Sequence, residues 1–87
     1  MARFAVRIDI SHLPGVADPQ GATVERALPA LGYENVTELK ISRSIRLVVD
    51  ASDMVAARDD VRSMCEQILA NPVIEAYEIT VNELAAL

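Results

Sequence analysis

A strict alternation of apolar and polar side chains early in the chain most constrains what it can fold into. Apolar residues occupy every second position from Phe4 to Ile10, and small or polar residues stand between them. A period of two is typical of a β-strand with one buried face. Because that face needs a covering layer, the alternation predicts a sheet with helices packed on one side.

Three later segments, 36–42, 45–50 and 77–81, alternate in the same way and are predicted to be strands. Only Arg43 and Ser44 separate the first two of these segments. A two-residue connection is too short for a crossover, so the strands on either side are expected to run antiparallel.

Asp18-Pro19 predicts the start of a first helix, since Asp accepts hydrogen bonds from free N–H groups and Pro has no N–H to leave unpaired. Gly32 is placed to end this helix in a left-handed conformation. Pro29 lies inside it and predicts a kink or a loosened last turn. The apolar residues of this helix, at helical spacing, are Val24, Leu28 and Leu31.

A second helix is predicted after Ser52 or Asp53, either of which can cap it, and Asn71-Pro72 ends it. Its apolar stripe repeats every three or four positions. The stripe consists of Met54, Ala57, Val61, Met64, Cys65 and Ile68.

The predicted order is strand, helix, strand, strand, helix, strand, which is the βαββαβ order of ferredoxin-like folds. We expect an α+β two-layer sandwich, with a four-stranded antiparallel sheet and both helices on one face. Residues 1–87 are interpreted as one domain, with a core of about 3–82 and a short tail at 83–87. A domain of this size buries only about 60% of its unfolded surface, so dimerisation is expected to complete it.

Charge and composition exclude several classes of partner. The net charge is −5 and there are only three aromatic residues, so neither a basic stripe nor stacking platforms for nucleic acid are present. No apolar run has membrane-spanning length, so no membrane association is expected. Cys65 is the only cysteine, which fits a reducing cytoplasm and excludes an internal disulfide.

Catalytic patterns are missing from the sequence. His12 has no acid placed by a motif to orient it. Asp59 and Asp60 are adjacent on a helix and point in different directions, as solvated surface residues do, and the three glycines are too far apart for a nucleotide loop. The chain is therefore expected to hold no catalytic residue, metal or cofactor of its own. Two readings remain: an assembly subunit, or an amino-acid-binding regulatory module of the ACT type that uses the turn 13–16.

Local sequence favours the first reading. The stretches 15–21, 24–28 and 31–33 resemble the first loop and helix of the PurS family, and 64–75 resembles its second helix and following turn. The resemblance runs from about Phe4 to Val81. Ser42-Arg43 stands where the family commonly has Gly-Lys, which keeps the positive charge, and Pro29 is unusual in the first helix.

The resemblance implies a non-catalytic subunit of phosphoribosylformylglycinamidine synthase, a glutamine-dependent ligase of purine biosynthesis. A glutaminase subunit releases ammonia, and a synthetase subunit, which holds ATP and magnesium, uses it to convert formylglycinamide ribonucleotide to the amidine. PurS proteins bridge the two as a homodimer, which can pair further into a dimer of dimers. The resemblance places candidate subunit contacts at Asp18, Pro19, Gln20, Gly21 and Arg43.

Overall fold

The first alternating segment forms β1 (Ala2–His12), the central strand of the computed structural model, which describes residues 1–84. β2 (Arg43–Ala51) and β3 (Glu75–Glu83) flank β1 on either side, and both run antiparallel to it. In this register Ile8 lies opposite Ile45 on β2 and Ile79 on β3. The predicted strands at the start, middle and end of the chain are confirmed.

Helix α2 (Met54–Met64) covers one face of this sheet and continues as a π-helical turn at Cys65–Leu69. Asp53 caps it by accepting a hydrogen bond of 2.8 Å from the Ala56 N–H. The core forms where the buried side of α2 meets the even-numbered side chains of β1. Its buried members are Phe4, Val6, Ile8, Ile10, Ala51, Ala57, Val61, Cys65 and Val81.

Helix α1 (Pro19–Ala27) is followed by a short 3₁₀ turn at Pro29–Leu31. The α-helix ends early because Pro29 has no N–H to donate to the carbonyl one turn before it. Gly32 then adopts φ 97°, and its N–H donates to the carbonyl of Pro29. The prediction of a loosened last turn before a left-handed glycine is confirmed.

The predicted strand over 36–42 is wrong for the single chain, and among the described residues the sheet has three strands instead of four. Glu38 has φ 57°, a left-handed conformation that breaks an extended strand. Beyond it, the N–H groups of Leu39 and Ile41 donate to side-chain carboxylates instead of to a neighbouring strand.

The prediction that both helices cover the sheet is also wrong, since only α2 does so. Residues 14–42, here called the arm, extend away from the sheet, and α1 packs chiefly on the arm's own later segment. The longest dimension of the molecule is 53 Å and its radius of gyration is 17.0 Å, against about 12 Å for a compact chain of this length. The predicted tail is strand up to Glu83, and 85–87 lie outside the described residues.

Candidate subunit interface

The described residues 1–84 contain no group of three or more His, Cys, Asp or Glu side chains that could hold a metal ion. Nor does this part of the chain include a helix with the length and apolar character to cross a bilayer. Cys65 is fully buried, and desolvation, with a smaller effect of Glu66, raises the pKa of its thiol. A buried thiol with a raised pKa is a poor nucleophile.

Asp18 organises the beginning of the arm. Its carboxylate accepts a hydrogen bond of 3.0 Å from the Gly21 N–H, which caps α1, and one of 2.8 Å from the Ile41 N–H. Both bonds lower the pKa of Asp18 because they favour the charged carboxylate, and the bond from the Ile41 N–H has the larger effect. Asp18 is therefore a cap and also a tie between α1 and the segment before β2.

Gly21 is needed at the point where these two pieces meet. It is buried, and a Cβ atom built on it would lie 2.3 Å from Oδ2 of Asp18 and 3.0 Å from the carbonyl oxygen of Leu39. Any larger residue would push the segment 39–41 away from α1. Close packing inside the arm thus explains the glycine in the first turn, whereas helix capping alone does not require one.

A second carboxylate, on Glu25, repeats this contact further along α1. It accepts a hydrogen bond of 2.8 Å from the Leu39 N–H. Asp18 and Glu25 are seven residues apart, so they lie on the same side of the helix, and Leu39 and Ile41 are alternate residues of an extended segment. The sequence reasoning missed Glu25, although the i, i+7 spacing of the two acids was visible.

Arg43 lies at the start of β2 and is engaged inside the chain. Its guanidinium donates to the carbonyl of Leu69 at 3.0 Å and to the carboxylate of Glu75 at 2.9 Å. Glu75 also accepts a hydrogen bond from the Asn71 N–H, so the cluster fastens the end of the α2 π-turn to the sheet. The Arg43 side chain is still 53% exposed, which leaves one side of it open to a partner.

The structure brings two pairs of the predicted contact residues together: Asp18 with Gly21 inside the arm, and Gln20 with Arg43 around one depression. Gln20 and Arg43 both bound a depression of about 220 Å³, to which Ile10 and Glu75 also contribute. Pro19 is exposed beside them at the first position of α1, whereas Asp18 and Gly21 are directed toward 39–41. The contact role of all five stays a prediction.

The face of the sheet opposite α2 is polar and open. The odd-numbered side chains of β1 lie there, and the register places Arg7 opposite Arg46 on β2 and Asp9 opposite Glu78 on β3. A shallow depression of about 400 Å³ surrounds the two arginines, bounded also by Ala5, Val48 and Asn82.

Residues 5–83, from β1 to the end of β3, match the model of the family PurS, described as phosphoribosylformylglycinamidine (FGAM) synthase. The chain belongs to the PurS family. The FGAM synthase subunit PurS of Methanocaldococcus jannaschii is 39% identical over 93% of this chain and 98% of that protein. The PurS subunit of Synechocystis sp. is 42% identical over 92% of this chain and 82% of that protein.

Solved structures of PurS proteins have the same fold. The crystal structure of Methanocaldococcus jannaschii PurS matches with a TM-score of 0.85 at 34% identity, covering 94% of this chain and 99% of that one. The structure of PurLQS from Thermotoga maritima matches with a TM-score of 0.84 at 38% identity, covering 97% of this chain and all of the matched one. Coverage this high includes the arm as well as the sheet. These PurS matches support the assembly-subunit reading, and none of them supports the ACT reading.

Proposed function

We propose that this chain is the small, non-catalytic subunit of FGAM synthase in purine biosynthesis, and that it bridges a glutaminase subunit and a synthetase subunit. The observation that carries this proposal is the likeness, over 97% of the chain, to the structure of PurLQS, a name that joins PurS with PurL and PurQ.

The chemistry of such a complex explains why a bridging subunit is useful. Ammonia released from glutamine would be protonated and lost in water, so the site that makes it and the site that consumes it must be held in fixed relation. Positioning of this kind can supply a large share of a catalytic advantage. In our proposal ATP and magnesium bind to the synthetase partner, and this chain binds no cofactor.

We further propose that the chain is a homodimer in which the exposed apolar side chains of each arm pack against the other copy. Val24 and Leu31, from the apolar stripe of α1 and its 3₁₀ turn, are 41% and 71% exposed, and Tyr33 beyond them is 57% exposed. A helix as short as α1 is not stable in water by itself, so its apolar side needs a packing partner. The free edges of β2 and β3 also favour association, because an edge strand has unpaired backbone groups.

The exposed residues at the base of the arm are our proposal for contacts with the other subunits. Pro19, Gln20 and the open side of Arg43 would touch a partner directly. Asp18 and Gly21 would act through the shape of the arm, since their contacts are with 39–41. The unpaired thiol of Cys65 fits a reducing compartment, and we place the complex in the cytoplasm.

Reconstitution tests the bridging role. The purified chain alone should turn over neither glutamine nor ATP, and its addition to the two cognate partners should be needed for glutamine-dependent amidine formation. Ammonium salts supplied in place of glutamine provide the control, because the synthetase subunit should then work without the bridge. Full glutamine-dependent activity from the two partners alone would contradict the proposal.

A further inference from the structure

Two arginines face each other on the open side of the sheet. Arg7 on β1 lies directly opposite Arg46 on β2, and both point away from α2. Like charges in directly opposed cross-strand positions destabilise a sheet unless something neutralises them. Arg7 is partly compensated, because its Nε donates to Asp9 at 3.2 Å, but Arg46 makes no ion pair with any residue in 1–84.

This pair is unusual within the chain's own charge distribution. The chain is acidic, with a net charge of −5. Three of its other arginines are matched with acids: Arg3 lies 3.7 Å from Asp50, Arg43 lies 2.9 Å from Glu75 and Arg62 lies 3.9 Å from Asp59. The centre of the open sheet face therefore presents an incompletely neutralised basic spot on a protein that would otherwise repel an acidic partner. Complementary charges of this kind fix the orientation of two proteins as they meet.

The surroundings of the pair favour a protein side chain over a free anion. Ala5 and the 50% exposed Val48 form an apolar floor beside the guanidinium groups, and the amide of Asn82 borders it. The backbone of β1 is already paired with both neighbouring strands, so it has no free N–H groups to hold a small anion such as phosphate. Glu and Asp combine a carboxylate, which the planar guanidinium binds well, with methylene groups that can pack on the apolar floor.

We propose that Arg7 and Arg46 form a docking point for acidic side chains of another subunit of the complex. The inference rests on the proposed bridging function and adds to it the face used and the chemistry of the partner surface. It assigns the sheet face opposite α2 to a partner of different sequence, and leaves the exposed apolar stripe of α1 to the second copy of this chain.

The test compares Arg46→Gln and Arg7→Gln with the matched control Arg3→Gln, which removes an arginine from the same strand face, but one that lies opposite Asp50 and not opposite another arginine. Calorimetry measures the affinity of each full-length variant for the cognate glutaminase and synthetase subunits, separately and together, at low and high sodium chloride. We expect Arg46→Gln to weaken binding of one partner about tenfold or more at low salt, and to flatten the salt dependence. Arg3→Gln should bind like the wild type.

Thermal unfolding of the same variants separates docking from a structural role. Because Arg46→Gln removes a like-charge opposition, its Tm should equal or exceed that of the wild type. Unchanged affinity of both Arg→Gln variants for both partners would overturn the inference. A second contradicting result would be an increase in Tm with inorganic phosphate that Arg46→Gln abolishes, because the site would then bind a free anion. A third would be dissociation of the dimer by Arg46→Gln, because the occupant would then be the second copy. A wild-type chain that binds neither partner would overturn the proposed function itself, and the inference with it.

Discussion

The carboxylate of Asp18 lies 2.8 Å from the backbone nitrogen of Ile41, 23 residues further along the chain. The same carboxylate caps α1 through the Gly21 N–H. One side chain thus fixes where the first helix begins and where the segment that leads into β2 runs back along it. Together with the bond from the Leu39 N–H to Glu25, this contact holds α1 against the segment before β2.

Acid should loosen the arm. The pKa of Asp18 is lowered in the folded chain, so the unfolded chain binds more protons near that pKa. Its stabilising contribution is therefore complete above the unfolded value of about 3.9 and is lost as pH falls through the lower folded value. Thermal unfolding over a pH series should show a smaller acid-induced fall in Tm for Asp18→Asn than for the wild type. An acid-induced fall in Tm that is as steep for Asp18→Asn as for the wild type would contradict the assignment.

Gly21→Ala should destabilise the chain although alanine is the better helix former by about 1 kcal/mol. The added Cβ would overlap Oδ2 of Asp18 and approach the Leu39 carbonyl oxygen to 3.0 Å. Overpacking of this kind costs about 1–3 kcal/mol, which thermal or denaturant unfolding can measure. Gln20→Ala, at an exposed position of the same helix, should not lower stability. A Gly21→Ala variant as stable as the wild type would show that the arm can open here at no cost.

Leu31→Ser should weaken the proposed dimer. The side chain is 71% exposed in the single chain, and its burial by a second copy would be worth about 1.5–3 kcal/mol for each copy. Val55→Ser is the matched control, because Val55 is 68% exposed but lies on α2. Light scattering at low micromolar concentration should find a dimer for wild type and Val55→Ser, with or without molar salt, and a larger monomer fraction for Leu31→Ser. A wild-type monomer under both conditions would refute the dimer.

The Cys65 thiol should be unreactive in the native chain. It is fully buried on the inner side of the helical layer, and desolvation raises its pKa, so little thiolate is present or accessible. A chromogenic disulfide reagent at mildly alkaline pH should modify it only as fast as the chain unfolds, and immediately in denaturant. Rapid modification of the folded chain would mean that α2 lifts from the sheet far more often than the packing implies.

No single amino acid should stabilise the chain. An ACT-type module would gain about 2.7 kcal/mol of stability when its ligand reaches 100 times the dissociation constant. Thermal shift measurements with each of the twenty amino acids should therefore show no saturable increase in Tm. A clear shift with one of them would revive the regulatory reading.

Most of the sheet could be predicted from the sequence because its apolar positions alternate strictly. Phe4 to Ile10 is buried at every second residue, as the pattern predicts. The segment 36–42 alternates equally well, but a period of two does not specify which groups its N–H donors will meet. Here Asp18 and Glu25 accept those bonds, and the left-handed Glu38 interrupts the extended backbone.

The position of α1 could not be predicted for a related reason. An apolar stripe such as Val24 to Leu31 shows that a helix must pack against another apolar surface, but not whether that surface belongs to the same chain. Among the contact candidates, capping by Asp18 followed from its place before Pro19. The pairing of Arg43 with Glu75 joins residues 32 positions apart, and no local pattern indicates it.

Because β1 is the central strand of the sheet, the order of the strands along the chain affects folding during synthesis. Both strands that pair with β1 follow it in the chain, one after the whole arm and the other after α2. During synthesis the strand with the most buried side chains therefore lacks its neighbours at first, and the sheet can close only when β3 has been made. Such non-local pairing slows folding and leaves apolar surface exposed meanwhile. We expect nascent chains that end before β3 to be recognised by chaperones, and release to coincide with its completion.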